Sequence, residues 1–256
     1  MIARRLPWIG SAGWSYASRH SGLFGEGDSG LARYATRFNA VEINSSFYRE
    51  HRQDTFRRWA DSVPKDFGFA VKVHKTITHD NRLQGCGPAL DRFVDQCGGL
   101  GRKLAGVLVQ LPPSLVFDAR IASTFFAMLR RRLESGLACE PRHPTWFGNE
   151  ASTLFLRYDI ARVAADPAPC DGAEAPLAST HWQYWRWHGT PRIYYSDYGE
   201  TALCALAAAV RTHRDGSSKP WIIFDNTAHG FAAPNAARLQ ELLGKTASAR
   251  RNGTRA

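Results

Sequence analysis

The feature that most constrains this chain is a regular alternation of short β-rich runs with longer amphipathic stretches. Eight runs rich in β-branched, aromatic and other apolar residues predict strands at 8–12, 40–43, 68–73, 105–110, 137–140, 162–165, 184–187 and 221–225. The stretches between them carry apolar residues at helical spacing and predict helices at 31–38, 55–62, 89–98, 121–133, 152–158, 201–212 and 234–243. Strands separated by helices pair in parallel, because parallel neighbours need a crossover connection.

Eight such strands predict an α/β fold of the TIM type, a single (β/α)₈ barrel domain over residues 1–244. A doubly wound open sheet is the alternative, but no G-x-G-x-x-G sequence follows the first strand. The sixth strand is the exception to the alternation, because the segment 166–179 is Pro-rich and has no helical period. We expect a long loop there, which is either a lid or a plain connection.

Charge and composition limit the classes of protein and partner. The net charge is +10, and the segment 245–256, which carries four of the basic residues and no acidic one, is predicted to be a disordered basic tail. The positive field favours an anionic partner, either a small ligand or a nucleic acid. No apolar run approaches the ~20 residues of a membrane helix. The five scattered cysteines and the lack of a secretory signal are typical of a cytoplasmic protein without a membrane partner.

Polar side chains collect at the carboxyl ends of the predicted strands. Side chains alternate between the two faces of a strand, so placing the apolar residues against the helices turns the polar ones inward. The inward set comprises Glu42, Asn44, Lys72, His74, Gln110, Glu140, Arg142, Arg186, His188 and either Asp225 or Asn226. Catalytic groups of barrel enzymes lie at this end, and charged residues in strands are costly unless they are paired. One or two of these residues, such as Glu42 and Lys72, also fit a structural ion pair.

The residue types indicate acid–base chemistry on an anion. Glu42 and Glu140 are a candidate acid and base, and His188 is a candidate proton shuttle. Lys72, with Arg142 and Arg186, is suited to holding a carboxylate or phosphate. The predicted function is therefore an isomerase, lyase or hydrolase acting on a small, sugar-phosphate-like anion. The sequence identifies neither the reaction, the cofactor nor the oligomeric state.

Two alternatives remain open. Aromatic residues near the first two strands, among them Tyr48, are suited to stacking a sugar or a base, so nucleic-acid binding through the basic surface is the first. Such aromatics also fit a hydrophobic lid over the mouth of the barrel. A divalent-metal enzyme with ligands from Glu42, Glu140, Asp166 and His188 is the second. No metal site is assigned, because no compact motif such as H-E-x-x-H occurs.

Long sequence blocks in a fixed order carry a family resemblance. GSAGWSY, FNAVEINSSFYR, PKDFGFAVKVHKTITH, LVQLPPS, ACEPRHPTWF, YWRWHG, YYSDY and FDNTAHGFAAPNA resemble the signature blocks of the YecE-like family, known as domain of unknown function 72. The resemblance implies a TIM-type barrel and a soluble bacterial-type protein, and it names no reaction. This chain departs from the family's usual Asn pair by having Asp225 before Asn226, and the segment before YYSDY is short.

The resemblance also implies a shared pocket. Its residues by position are Glu42, Asn44, Lys72, His74, His79, Gln110, Glu140, Arg142, His143, Arg186, His188, Tyr195 and Asn226. Of these we predict Glu42, Glu140, His188 and Lys72 to be catalytic. We predict the remainder, together with the rim residue Tyr48, to bind substrate.

Overall fold

A computed structural model describes residues 7–177, 182–212 and 220–252 of the chain, with side chains as far as residue 244. Parallel strands alternate with helices along it. The strands are β1 (Trp8–Ser11), β2 (Ala40–Ile43), β3 (Gly68–Lys72), β4 (Leu104–Gln110), β5 (Gly136–Glu140), β6 (Ile160–Arg162), β7 (Ala164–Asp166), β8 (Tyr184–Trp187) and β9 (Trp221–Phe224). The helices are α1 (Gly30–Ala35), α2 (Gln53–Asp61), α3 (Gly87–Cys97), α4 (Ala119–Arg130), α5 (Asn149–Arg157), α6 (Glu200–Thr212) and α7 (Ala232–Asn252).

The strands form two sheets, ordered β2-β3-β4-β5-β6 and β1-β9-β8-β7, and every pair within them is parallel. The two sheets meet at a parallel bridge between Ala12 and Glu42, and Val163 joins β6 to β7. The single sixth strand predicted at 162–165 is therefore divided at Val163, with one part in each sheet. The predicted α/β class and parallel pairing are confirmed.

The two faces of the strands differ in what they pack against. Val41, Ile43 and Val71 belong to the large core between strands and helices. Ala70 and Leu108, which have the opposite parity, belong to a smaller apolar cluster on the inner face. The inner face is therefore apolar near the start of the strands, and the polar positions come later along each strand.

Four aromatic residues, Trp8, Trp182, Tyr184 and Trp221, close the amino ends of the strands, and we call them the aromatic floor. The Trp221 ring stacks on Tyr184 with centroids 5.8 Å apart and lies 4.6 Å from Trp8. Gly68 lies directly against Trp8, because a Cβ at this position would sit 0.9 Å from the indole ring. This floor leaves the carboxyl ends of the strands as the accessible end of the inner face.

The structure describes only part of the predicted long loop and of the predicted carboxyl-terminal tail. Residues 167–177 contain no helix, as expected for the predicted loop at 166–179, but residues 178 and 179 lie outside the described part. The loop contacts the strands through Arg162, whose Nη2 donates to the carbonyl of Gly172 at 3.1 Å. The last helix runs beyond the predicted 234–243, and residues 253–256 of the predicted tail lie outside the description. No described helix is both long and apolar enough to cross a lipid bilayer.

Candidate functional site

Five side chains form a buried charge cluster at the carboxyl ends of the strands: Glu42, Glu140, Arg186, His188 and Asp225. Arg186 lies at its centre with no exposed surface. Its Nε and Nη2 donate to Glu42 Oε2 and Oε1 at 3.0 and 2.8 Å, which is bidentate pairing. Its Nη1 donates to Glu140 Oε2 at 2.5 Å and its Nη2 to Asp225 Oδ2 at 2.9 Å. One guanidinium therefore joins carboxylates from three separate strand ends.

His188 joins two of the same carboxylates from the other side. Its Nε2 lies 2.8 Å from Glu140 Oε1 and its Nδ1 lies 3.0 Å from Asp225 Oδ2. Ionised carboxylates only accept hydrogen bonds, so both ring nitrogens carry protons and the ring is an imidazolium. Burial opposes this charge, but Glu140 and the hydrogen bonds to both carboxylates raise the pKa of His188 above its ordinary value.

Glu140 and Asp225 are held in their charged form. Burial alone would raise the pKa of Glu140, but Arg186 and His188 lower it well below its ordinary value. The pKa of Asp225 is lowered against burial by Arg186 and His188 in the same way. The Tyr184 hydroxyl donates to Glu42 Oε2 at 2.9 Å, so both oxygens of Glu42 and both of Glu140 accept hydrogen bonds. Each oxygen of these two carboxylates is therefore held by at least one hydrogen bond within the cluster.

Lys72, at the end of β3, is in a different situation. Its side chain is almost completely buried, and its Nζ lies 4.0 Å from the centroid of the Phe47 ring. Among the described residues no side chain forms a hydrogen bond or ion pair with this Nζ. Burial, followed by the charge of Arg186, lowers the pKa of Lys72 to about 8, although the cluster carboxylates oppose the shift. At pH 7 Lys72 is therefore mostly protonated, with about one-tenth present as the uncharged amine.

Arg142, His79 and Tyr194 lie above the cluster, towards solvent. Arg142 is one-quarter exposed and its Nη2 lies 3.3 Å from Glu140 Oε1. Burial lowers the pKa of His79, and Lys72 and Arg142 lower it further. Lys72 and His79 both pack against the Phe47 ring, and together with Arg142 they form a group of three basic side chains at the accessible end. This group, which we call the basic rim, is suited to an anion.

Tyr194 lies over the cluster and was not predicted from the sequence. Its ring is 6.0 Å from that of His188, and its N–H donates to the His188 carbonyl. Glu140 and the Tyr194 phenol raise the pKa of Arg142 against the effect of burial. Tyr194 therefore lies beside the imidazolium and acts electrostatically on the partly exposed arginine.

Two further predicted residues adjoin the cluster. Gln110 is buried and pairs in register with Glu140 on the neighbouring strand. Asn44 follows β2 two residues after Glu42, and its buried Oδ1 has no hydrogen-bond partner within the part of the chain that the structure describes. Both positions add amide groups beside the carboxyl ends of β2 and β4.

Other predicted site residues lie elsewhere. His74 Nδ1 accepts from the Thr76 N–H, and the ring lines a small separate cavity beside α2 and α3. His143 caps the short helix Pro144–Phe147 by accepting from Thr145. Their part in binding substrate stays a prediction, although neither contacts the charge cluster.

Asn226, Tyr195 and Tyr48 are also outside the cluster. Asn226 Nδ2 donates to Asn235 Oδ1 and to the Ser196 carbonyl. Tyr195 is exposed and packs against Arg192 and His229, and Tyr48 is the most exposed large apolar side chain at this end. These two tyrosines are available to a ligand at the rim, whereas Asn226 supports the loop after β8.

The alternative metal-ligand set is not assembled. Asp166 Oδ2 accepts from Tyr198 and Thr190, both at 2.6 Å, instead of facing His188. Within residues 7–177, 182–212 and 220–252, no group of three or more His, Cys, Asp or Glu side chains is arranged to hold a metal ion. The charge cluster holds its carboxylates with Arg186 and His188 instead.

Comparison with known proteins places the chain in a protein family. The family model described as a protein of unknown function, DUF72, matches residues 8–255. The chain belongs to the DUF72 family. A solved DUF72 protein from Thermotoga maritima MSB8 superposes with a TM-score of 0.77 at 23% identity, covering 94% of this chain and 100% of that one. One from Enterococcus faecalis V583 gives 0.76 at 20% identity, covering 94% and 96%.

Two curated relatives of this DUF72 chain carry UPF0759 names. The UPF0759 protein YecE of Escherichia coli K12 is 28% identical over 174 residues, which is 66% of this chain and 62% of that protein. The UPF0759 protein YunF of Bacillus subtilis 168 is 21% identical over 93% of this chain and 95% of that protein. The predicted YecE-like assignment is confirmed. The names of these relatives state no activity.

Strand parity also predicts two further residues of this candidate site, Asp225 and Tyr184. Trp221 and Ile223 belong to the inner cluster, so the same parity turns Asp225 inward, and Asn226 takes the other side. Tyr184 shares parity with Arg186, and its hydroxyl reaches Glu42. Tyr194 carries no such signal, because it lies in a loop and its φ is +70°.

Proposed function

We propose that this DUF72 protein is an enzyme that transfers protons to and from a small anionic substrate held at the carboxyl ends of its strands. The observation that carries the proposal is Lys72, a nearly buried amine without an ion-pair partner among the described residues, with a pKa of about 8. Catalytic acids and bases work best with a pKa near the working pH, and burial commonly tunes lysine in this way. Lys72 is accordingly the proton-transferring group.

The charge cluster has a supporting role in this proposal. The oxygens of Glu42 and Glu140 and both nitrogens of His188 are already engaged in hydrogen bonds. A fixed set of charges below the reacting atoms stabilises charge that develops in a transition state without needing to reorganise. Glu42, Glu140 and His188 therefore act on the substrate through this field, and Lys72 makes the direct proton transfer.

The basic rim binds the anion. Arg142 keeps part of its side chain exposed while Glu140 Oε1 accepts from its Nη2 at 3.3 Å. A planar guanidinium suits a carboxylate or a phosphate, and His79 and Lys72 add two further nitrogen groups. A substrate anion here lies against Lys72 and offsets the positive charge of the rim.

The proposal includes closure of the two parallel sheets into one (β/α)₈ barrel. The bridge between Ala12 and Glu42 and the continuous chain through Val163 support closure at both junctions. In such a barrel the charge cluster fills the inner face near the carboxyl ends, where barrel enzymes carry their active sites. Open sheets joined only at these two points are the alternative architecture.

Binding is tested by a thermal-shift screen with inorganic phosphate, sugar phosphates, small carboxylates and a single-stranded oligonucleotide. A bound ligand raises the melting temperature. We expect a small anion to do so in the wild type and Arg102→Ala, which changes an exposed arginine at the opposite end of β4, and to fail with Arg142→Ala. Stabilisation by the oligonucleotide alone, or equal shifts in both variants, would contradict the proposal.

Proton transfer is tested with the anion that gives the largest shift. The complex is placed in deuterated water, and loss of substrate C–H signals is followed by NMR. Exchange is expected with the wild type and Lys65→Met, which alters an exposed lysine before β3, and is expected to disappear in Lys72→Met while binding persists. Exchange that continues in Lys72→Met would remove Lys72 from the chemistry.

A further inference from the structure

The cations of the site divide into two chemical kinds. Arg186, Arg142 and the His188 imidazolium are engaged with carboxylates, and none of them is a nucleophile in that state. Lys72 supplies the primary amine, with its Nζ against the Phe47 ring. A primary amine can form a covalent bond to carbon, which guanidinium and imidazolium ions cannot do under these conditions.

We infer that Lys72 forms an imine with a carbonyl group of the substrate, so that the enzyme's substrates are small anions that also carry an aldehyde or ketone. This inference rests on the proposed function and narrows its substrate class. It also changes the part of Lys72: once the imine forms, Lys72 activates the substrate through the C=N bond, and His79 carries the proton. The basic rim recognises the anionic group, and the amine bonds to the carbonyl carbon. A 2-oxo acid or a phosphorylated aldehyde or ketone has both features.

The surroundings of Lys72 favour a nucleophilic amine. The attacking nitrogen must be uncharged, and burial together with Arg186 lowers the pKa of Lys72 to about 8. The Phe47 ring covers one side of Nζ at 4.0 Å and keeps water from it, while about one-twentieth of the residue stays exposed. Within the described residues the lone pair of the neutral amine accepts no hydrogen bond and is free to attack.

The reaction balances without an added oxidant or reductant. The Nζ lone pair forms a bond to the carbonyl carbon as the carbon–oxygen π pair moves to oxygen, and the oxygen takes a proton to give a carbinolamine. The first of the two nitrogen protons passes to this oxygen. The second passes to the resulting hydroxyl group, which leaves as water while the nitrogen lone pair forms the C=N bond. The net change is amine plus carbonyl to imine plus water.

His79 is placed to carry the proton for these steps. Its ring packs edge-on against Phe47 with centroids 4.9 Å apart, and Lys72 contacts the same phenylalanine. Burial, Lys72 and Arg142 lower the pKa of His79, so the ring is mainly neutral at neutral pH. Its Nδ1 pairs with Thr78 Oγ1 at 2.8 Å, and Nε2 has no partner within the described residues.

The test is reductive trapping. Wild-type protein is incubated separately with pyruvate, glyoxylate and dihydroxyacetone phosphate, sodium borohydride is added, and the modified residue is located by peptide mass spectrometry. The chain has only six lysines, Lys65, Lys72, Lys75, Lys103, Lys219 and Lys245, so assignment is direct. We expect at least one probe to label Lys72 at least tenfold faster than Lys65, with a rate that rises with pH through about 8.

Two variants separate chemistry from folding. Lys72→Arg keeps the positive charge and is expected to bind anions without being trapped, whereas Lys65→Arg is expected to be trapped like the wild type. Labelling spread evenly over the lysines, or none at Lys72 while anions still give an Arg142-dependent thermal shift, would overturn the imine and leave the proposed function intact. Absence of both the label and the Arg142-dependent shift would overturn both.

Discussion

At the scale of single residues, Lys72 is held where its charge is disfavoured. Its pKa falls from 10.5 to about 8, so the charged form is less stable in the folded protein than in the unfolded chain. Each pKa unit corresponds to about 1.4 kcal/mol, which sets an upper bound of about 3 kcal/mol on the cost at pH 7. Active sites commonly lower stability in this way.

Lys72→Met is therefore expected to raise the free energy of unfolding at pH 7 by about 1–3 kcal/mol, because it keeps the length and removes the charge. Urea unfolding at pH 7 measures this, with Lys65→Met as the control that should not change. Between pH 8 and 10.5 the unfolded wild-type chain keeps the proton that the folded state has lost, so wild-type stability should rise and the variant's advantage should shrink. A less stable variant at pH 7 would show that the ammonium is a net stabilising partner of the carboxylates.

Replacing Arg186, unlike replacing Lys72, is expected to lower the free energy of unfolding. Arg186→Met leaves Glu42, Glu140 and Asp225 buried around a single imidazolium, and unpairing a buried charge typically costs about 3–5 kcal/mol. Urea unfolding should show this loss or failure to fold. The control is Arg57→Met, which removes an exposed pair with Asp54 and should have a much smaller effect. Similar midpoints for the two variants would mean that the cluster carboxylates are neutral in the folded protein.

At the scale of elements, the aromatic floor depends on glycine where strands pass the indole rings. A Cβ at Gly68 would overlap Trp8, and one at Gly106 would lie 2.7 Å from Trp182. Gly68→Ala and Gly106→Ala are expected to lower the free energy of unfolding by about 1–3 kcal/mol, as overpacking does. Gly87→Ala, where nothing lies within 4 Å of the added Cβ, should be neutral or stabilising. Equal stability of all three variants would mean that the indole rings shift freely.

The alternation of side chains along a strand explains how much of the candidate site could be predicted from the sequence. Parity correctly placed Glu42, Glu140, Arg186 and His188 on one face, because the strand period is fixed by backbone geometry. Parity becomes unreliable beyond the last residue of a strand, as His74 shows after β3. His74 turns toward a separate cavity, since loop conformation depends on tertiary packing rather than on local period.

The division of the expected sixth strand into β6 and β7 has the same origin. Residues 160–166 are all extended or nearly so, but Arg162 pairs in one sheet and Ala164 in the other. A sequence reports that a segment favours extended backbone, and it does not report which neighbour accepts the hydrogen bonds. Partner choice at Val163 is set by the whole arrangement of strands.

At the scale of the whole molecule, the shifted groups predict a stability profile with pH. Glu140 and Asp225 have lowered pKa values, so their stabilisation is present above about pH 4 and is lost as pH falls through the folded values. The pKa values of His51 and His79 are also lowered, so these two residues likewise increase stability as pH rises to about 6.5. The pKa of His188 is raised, so its stabilisation is complete below about pH 6.5 and is lost as pH rises through its folded pKa.

The free energy of unfolding is therefore expected to peak near about pH 6.5, decline in mild alkali and recover partly above pH 8 through Lys72. Urea unfolding from pH 4 to 10 measures the profile, and His188→Gln should remove the decline above the peak. A wild-type profile that rises steadily from pH 6.5 to 8 would contradict the imidazolium assignment.

Burial of the charge cluster also determines how the protein responds to dissolved electrolyte. Mobile ions screen exposed charges over about 8 Å at physiological ionic strength, but they do not enter a region where Arg186 and Glu42 have no exposed surface. Added sodium chloride should therefore leave this cluster intact while weakening surface pairs such as Arg57 with Asp54 and competing for the exposed part of Arg142. If the proposed anion binds at the basic rim, sodium chloride is expected to lower its occupancy while the buried ion pairs stay in place, which separates control of binding from control of folding.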